Sequence, residues 1–162
     1  MPSARPSLVR AWWPAVVWIG IITFESTDYL SAQSTGSMLY TLLTRIFGHI
    51  NLYDFLYWHH YLRKAGHVVG YAMLGILLLR GFWMTFASRS EWIRLLPVFA
   101  WLGTAVVATL DEWHQSHIPS RTGTPWDVLL DSTAGLAALV LAYIALRRRA
   151  LARVTTRINK ET

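Results

Sequence analysis

Apolar residues along the chain gather into long runs separated by polar connections. Four runs, Trp12 to Tyr29, Gly66 to Phe86, Ile93 to Leu110 and Asp127 to Leu146, each approach the roughly 20 residues that a helix needs to cross a bilayer. Between the first two, the connection from Ser31 to Arg63 is too long for an idle loop. Within it Leu39, Leu42, Leu43, Ile46, Phe47 and Ile50 recur at helical spacing, while Thr41, Thr44, Arg45 and His49 fall elsewhere on the wheel. This predicts an amphipathic helix that lies flat in a leaflet or caps the bundle. Tyr53, Phe55, Tyr57, Trp58 and Tyr61 extend that interfacial layer to the second span, with His59 and His60 at its wet edge. The expected fold is all-α: a polytopic bundle of about four transmembrane helices with an amphipathic segment between the first two. Residues 1–11 form an N-terminus, 12–146 the membrane domain and 147–162 a basic tail.

Composition points the same way. The chain is 54% hydrophobic and 15% charged, outside the balance of a soluble domain. With no cysteine, disulfides, thiolate catalysis and thiolate-bound metals are excluded, so chemistry falls to His, Asp, Glu, Arg, Lys and hydroxyls. The net charge of +6 does not signal nucleic acid, because the basic residues abut apolar spans and form no nucleic-acid motif. No cofactor is expected.

Charge also orients the spans. Arg5, Arg10, Arg80, Arg89, Arg94, Arg147 to Arg149, Arg153, Arg157 and Lys160 fall on one side, which the positive-inside rule makes cytoplasmic together with both termini. The tail is then a topology anchor near anionic lipid, and Arg80 snorkels toward that side. No small-residue cleavage site follows the first run, so an uncleaved first helix is expected. The opposite side has few cations, Arg45, Arg63, Lys64 and Arg121, but collects Glu25, Asp28, Asp54, Asp111, Glu112, Asp127 and Asp131. A carboxylate inside a span costs at least about 2.5 kcal/mol on insertion scales, so these groups need partners. Lys64, His67 and Tyr71 share one helical face at i, i+3 and i+7, with Gly75 next on that stripe. Gly135 follows Asp131 at i+4, and Ala134, Ala138 and Ala142 make a small-residue stripe that permits close helix approach. Four span ends meet at this side, so the polar groups converge into one candidate site.

Lys64-Ala-Gly-His67-Val-Val-Gly-Tyr71, then Asp111-Glu112-Trp-His-Gln115, Pro119-Ser-Arg121 and Asp127, resembles the VanZ-like family. There a Lys-x-x-His-x-x-x-Tyr stretch opens one membrane helix, and an Asp-Glu-x-x-Gln, Pro-x-Arg, Asp stretch joins the last two. Phe24-Glu25-Ser26, with Ser31, Gln33, Ser34 and Ser37, is similar to the family's serine-rich segment. The likeness runs from about Phe24 to Leu146. The chain departs from the pattern at Glu25, where a small or uncharged residue is commoner, at Ser120, where glycine is usual, and at Asp131, where asparagine is frequent; all three bear on the charge of the site. The resemblance implies an envelope protein linked to low-level resistance to the glycopeptide teicoplanin, by a route separate from remodelling the peptidoglycan stem peptide.

Three readings of the cluster stand side by side. In the first, Lys64, His67, Tyr71, Asp111, Glu112, Gln115, Arg121 and Asp127 bind a membrane lipid, a lipid-linked cell-wall precursor or a lipoglycopeptide. Lys64 and Arg121 meet its anion, Asp111 and Glu112 balance them, Gln115 and Tyr71 orient, and Asp127 pins the turn. In the second, His67 with Asp111 or Glu112 is an acid/base pair and Arg121 stabilises charge on a phosphorylated or acylated envelope lipid. In the third, the charges pair with one another and fix helix register. His114 and His117 near Glu112 have metal-ligand spacing, but histidines beside tryptophan at a membrane surface are expected to be interfacial, and no metal site is expected.

Overall fold

The computed structural model describes residues 7–86 and 92–161. Arg5 and Arg89 lie outside them, as do the side chains of Arg147, Arg149, Arg153, Arg157 and Lys160. Five α-helices follow one another: α1 Leu8–Glu25, α2 Ala32–Phe47, α3 Leu52–Phe86, α4 Leu96–Gln115 and α5 Pro125–Glu161, with a 3-10 turn at Asp28–Leu30. The described residues contain no strand. The chain is thus an all-helical membrane bundle, in which α1, α3, α4 and α5 correspond to the four apolar runs. Length and apolarity mark α1, α3 and the Pro125–Leu146 part of α5 as able to span. Helix α4 is as long as a span, at 20 residues, and places Asp111 and Glu112 in its last turns.

Helices α1, α2 and α5 begin where the sequence offers a cap. Ser7 accepts the Arg10 N–H at the start of α1, and Ser31 accepts the Ser34 N–H at the start of α2. Thr124 accepts the Asp127 N–H and donates its hydroxyl to the Asp127 carboxylate, with Pro125 in the first turn of α5. Inside α1, Pro14 has no N–H for the carbonyl of Arg10. Arg80 of α3 fills that gap, donating to the carbonyls of Arg10 at 3.3 Å and Ala11 at 2.9 Å. The arginine expected to snorkel has a specific partner.

Helix α3 differs from expectation. The aromatic stretch before Gly66 is not a separate layer but the first turns of one 35-residue helix. Nothing between Leu52 and Arg63 stops a helix, because the stretch has no proline and no glycine. At 1.5 Å per residue its 35 residues reach about 52 Å, against roughly 30 Å of hydrocarbon. The surplus gives α2 a surface to pack on. Tyr40 and Phe55 rings lie 5.1 Å apart, the Tyr40 hydroxyl donates to the Ile50 carbonyl, and a Cβ on Gly36 would sit 3.4 Å from the His59 ring. The rest of the amphipathic face, Leu42, Ile46 and Phe47, is left exposed.

Helix α3 is central, packed against α1, α4 and α5. Its closest approach to α5 is set by glycine rather than by the alanine stripe. A Cβ on Gly75 would lie 3.2 Å from the Gly135 carbonyl oxygen, and one on Gly135 would lie 2.7 Å from the Thr104 methyl. Ala134 is buried beside them, whereas Ala138 and Ala142 are half-buried. Leu74, Leu96, Ala100 and Ala108 fill the interior. Trp18 and Trp101 serve as ties between helices, donating to the carbonyls of Gly70 and Ser132. Val16, Val106, Leu129 and Leu141 face outward uncovered, as a bilayer solvent allows.

Candidate functional site

The polar residues singled out in the sequence meet at one end of the bundle, where α1 ends, α3 passes, α4 ends and α5 begins. They form two linked tiers. The inner tier centres on Asp111. Tyr71 donates to it at 2.9 Å, Gln115 at 3.0 Å, and Ser26 donates to its other oxygen. With Asp111, Gln115, Ser26 and Tyr71 all buried, this carboxylate is satisfied entirely by neutral donors from three helices.

The outer tier carries the ion pairs. Lys64 donates to Asp127 at 2.7 Å, with both side chains partly exposed. One turn deeper, His67 Nδ1 meets Asp131 Oδ2 at 3.2 Å. Asp131 is wholly buried, and its Oδ1 has no hydrogen-bond partner. Glu112 Oε2 accepts the Thr124 N–H at 2.8 Å, tying α4 to the start of α5. In a full capping box that N–H would go to the Asp127 side chain, so α4 has taken over half of the cap.

Arg121, in the connection between α4 and α5, is buried and donates through Nη2 to the carbonyls of Glu25 and Thr27 just past α1. Burial, with the like charge of Arg63 nearby, pulls its pKa below the ordinary arginine value. Its partners are backbone carbonyls, not the carboxylates. The nearby Ser120 donates to Asp28, and Gly123 is held so close to α4 that a Cβ would fall 2.2 Å from the Glu112 carbonyl. Glu25 is exposed on the rim.

A cavity of about 230 Å³ opens above this arrangement, lined by Arg63, Lys64, Arg121, Glu112, Asp127 and the imidazoles of His59, His60 and His67. Gln115 also lines it, whereas Tyr71 and Asp111 do not. Through His59, Arg63 and His67 it adjoins a second cavity of about 380 Å³, whose wall includes Leu30, Leu39 and Leu62. The eight residues expected to form the site are therefore gathered, six on the cavity wall and two beneath it.

The VanZ/LLP1 family profile matches residues 11–146, which is most of the chain and holds both tiers. The chain belongs to the VanZ/LLP1 family. No curated protein and no solved structure gave a significant match. In this VanZ/LLP1 chain the pairings are what the sequence did not convey. His67 bonds Asp131 rather than Asp111 or Glu112, and Ser26, Thr124 and Arg63 join the site although none stood among its expected residues. Thr124 had a local signal in Thr-Pro-x-Asp, the N-cap pattern of α5. His117 bonds the Trp113 carbonyl on the exposed surface, away from the cavity.

Proposed function

We propose that this protein is a multi-pass component of the bacterial cell membrane that binds the anionic headgroup of an envelope lipid, or of a lipid-linked precursor, in its polar cavity. In this reading both termini are cytoplasmic and the cavity faces the outer leaflet, which the positive-inside rule supports, since Arg10, Arg80, Arg94 and Arg148 lie at the opposite end. The observation that carries the reading is the charge of the wall: three permanent cations stand against two carboxylates. Lys64 has three donors and gives one to Asp127, so two remain for a phosphate. Arg63 gives Nη1 to the Leu30 carbonyl and keeps the other edge of its fork. The leucine-walled second cavity accepts the first part of the lipid chain.

A lipoglycopeptide that anchors in the outer leaflet would meet fewer accessible lipids in cells where this protein holds them, which links the site to teicoplanin. The experiment is teicoplanin susceptibility of a sensitive Gram-positive host expressing wild type, Lys64→Ala, His67→Ala, Glu112→Ala or Arg121→Ala at matched membrane levels. Protection by wild type that Lys64→Ala abolishes supports the reading, and equal protection by all variants overturns it.

The His67–Asp131 contact beside an open cavity favours a second reading, in which His67 is a general acid/base acting on a phosphorylated or acylated lipid. Release of phosphate or acyl groups from such a lipid by wild type but not His67→Gln is its signature.

A further inference from the structure

On the cavity wall and just behind it, three groups from three helices come together. His67 of α3, Glu112 of α4 and Asp131 of α5 each bring a ligand atom within 4.8 Å of the other two. Glu112 and Asp131 are buried and His67 is half-buried. We propose that this triad holds a divalent first-row metal ion.

Charge favours a cation here. Ionised, the two carboxylates would carry two negative charges, and among the described residues neither forms an ion pair with lysine or arginine; against Asp131 stands the His67 imidazole alone, at 3.2 Å. Lys64 is bonded to Asp127, and Arg121 to the carbonyls of Glu25 and Thr27. Buried charge without a counter-charge is costly, and a dication with a neutral imidazole balances the set. An orphan oxygen points the same way. Asp131 Oδ1 is fully enclosed with no hydrogen-bond partner, a rare state among the described residues that it shares with Arg121 Nε. A metal ion gives it a partner that no side chain supplies.

The donor set narrows the ion. One imidazole nitrogen with two carboxylate oxygens suits Zn²⁺ or Mn²⁺, and three protein ligands leave coordination positions open toward the cavity. Existing contacts hold the ligands in place: the Thr124 N–H fixes Glu112 through Oε2, and the ring of His67 lies over that of Tyr71 with centroids 6.3 Å apart. His114 and His117, whose spacing alone resembles a metal pair, have no part in this site.

The test is equilibrium dialysis of the full-length protein, purified in detergent and stripped with chelator, against Zn²⁺ or Mn²⁺, with metal content and unfolding temperature as readouts. About one equivalent per chain and a raised unfolding temperature are expected. Glu112→Gln, Asp131→Asn and His67→Gln each weaken binding at least about tenfold, whereas His114→Gln with His117→Gln leaves it unchanged. Absence of bound metal and of any thermal shift in wild type overturns the proposal without recourse to a variant. Binding that survives in all three triad variants overturns it as well. The outcome is independent of lipid binding, since the probe is the metal alone.

Discussion

The two ends of the bundle solve the same packing problem with different materials. At the basic end α1 meets α3 through Trp12, which stands edge-on to Phe82 at 4.9 Å, donates to Thr85, and lies so close to Gly81 that a Cβ there would come within 2.9 Å of the indole. One cation, Arg80, answers the carbonyl freed by Pro14. At the polar end the same helices, joined by α4 and α5, enclose Asp111, Glu112 and Asp131, and line an open cavity with charge. Aromatic and small residues suffice to pack membrane helices. The polar end therefore holds more ionisable groups than packing needs, and that excess is what the proposed ligand would use.

Substitutions break this comparison in a graded way. The largest effect is expected at Gly123, where alanine would press a Cβ against the Glu112 carbonyl and cost at least about 4 kcal/mol in detergent unfolding. Gly66→Ala, with nothing within 4 Å, should change stability by no more than about 1 kcal/mol. Next comes Asp111→Ala, which strands the Tyr71, Gln115 and Ser26 donors and should cost about 3 kcal/mol, with Asp111→Asn recovering part of it. At the basic end Arg80→Ala should cost about 2 kcal/mol by the same measurement. Combined with Pro14→Ala it should cost less, because the restored N–H can meet the Arg10 carbonyl; strict additivity would refute the capping role. The smallest stability effect is Lys64→Ala, at most about 1 kcal/mol for a pair this exposed. That variant separates stability from the proposed function: the fold should stay while anion binding is lost.

Much of the fold was legible in the sequence because apolar runs, caps and charge bias are local signals. Helix α3 was only half legible. A window tuned to apolar residues stops at Lys64, yet a helix ignores polarity and continues until something breaks it, and between Leu52 and Arg63 nothing does. The site was legible as a set, since Lys64, His67 and Tyr71 share a face of one helix. Its pairings were not, because they depend on how α4 and α5 rotate against α3. Asp131 stood apart as a departure from the family's pattern, yet it is the partner of His67. Arg121 was matched with carboxylates by sign, whereas geometry gave it to two carbonyls that the end of α1 leaves free.

The most direct test of the central claim is binding of a long-chain polyprenyl phosphate to the purified protein in neutral detergent, with the corresponding uncharged prenol as competitor. Wild type should bind the phosphate saturably and at least about tenfold more tightly than the prenol, a difference of roughly 1.4 kcal/mol. Lys64→Ala should remove that preference, while Arg45→Ala, exposed on α2 outside the cavity, should retain it. Equal affinity for phosphate and prenol, or a phosphate preference that survives Lys64→Ala, would contradict the account.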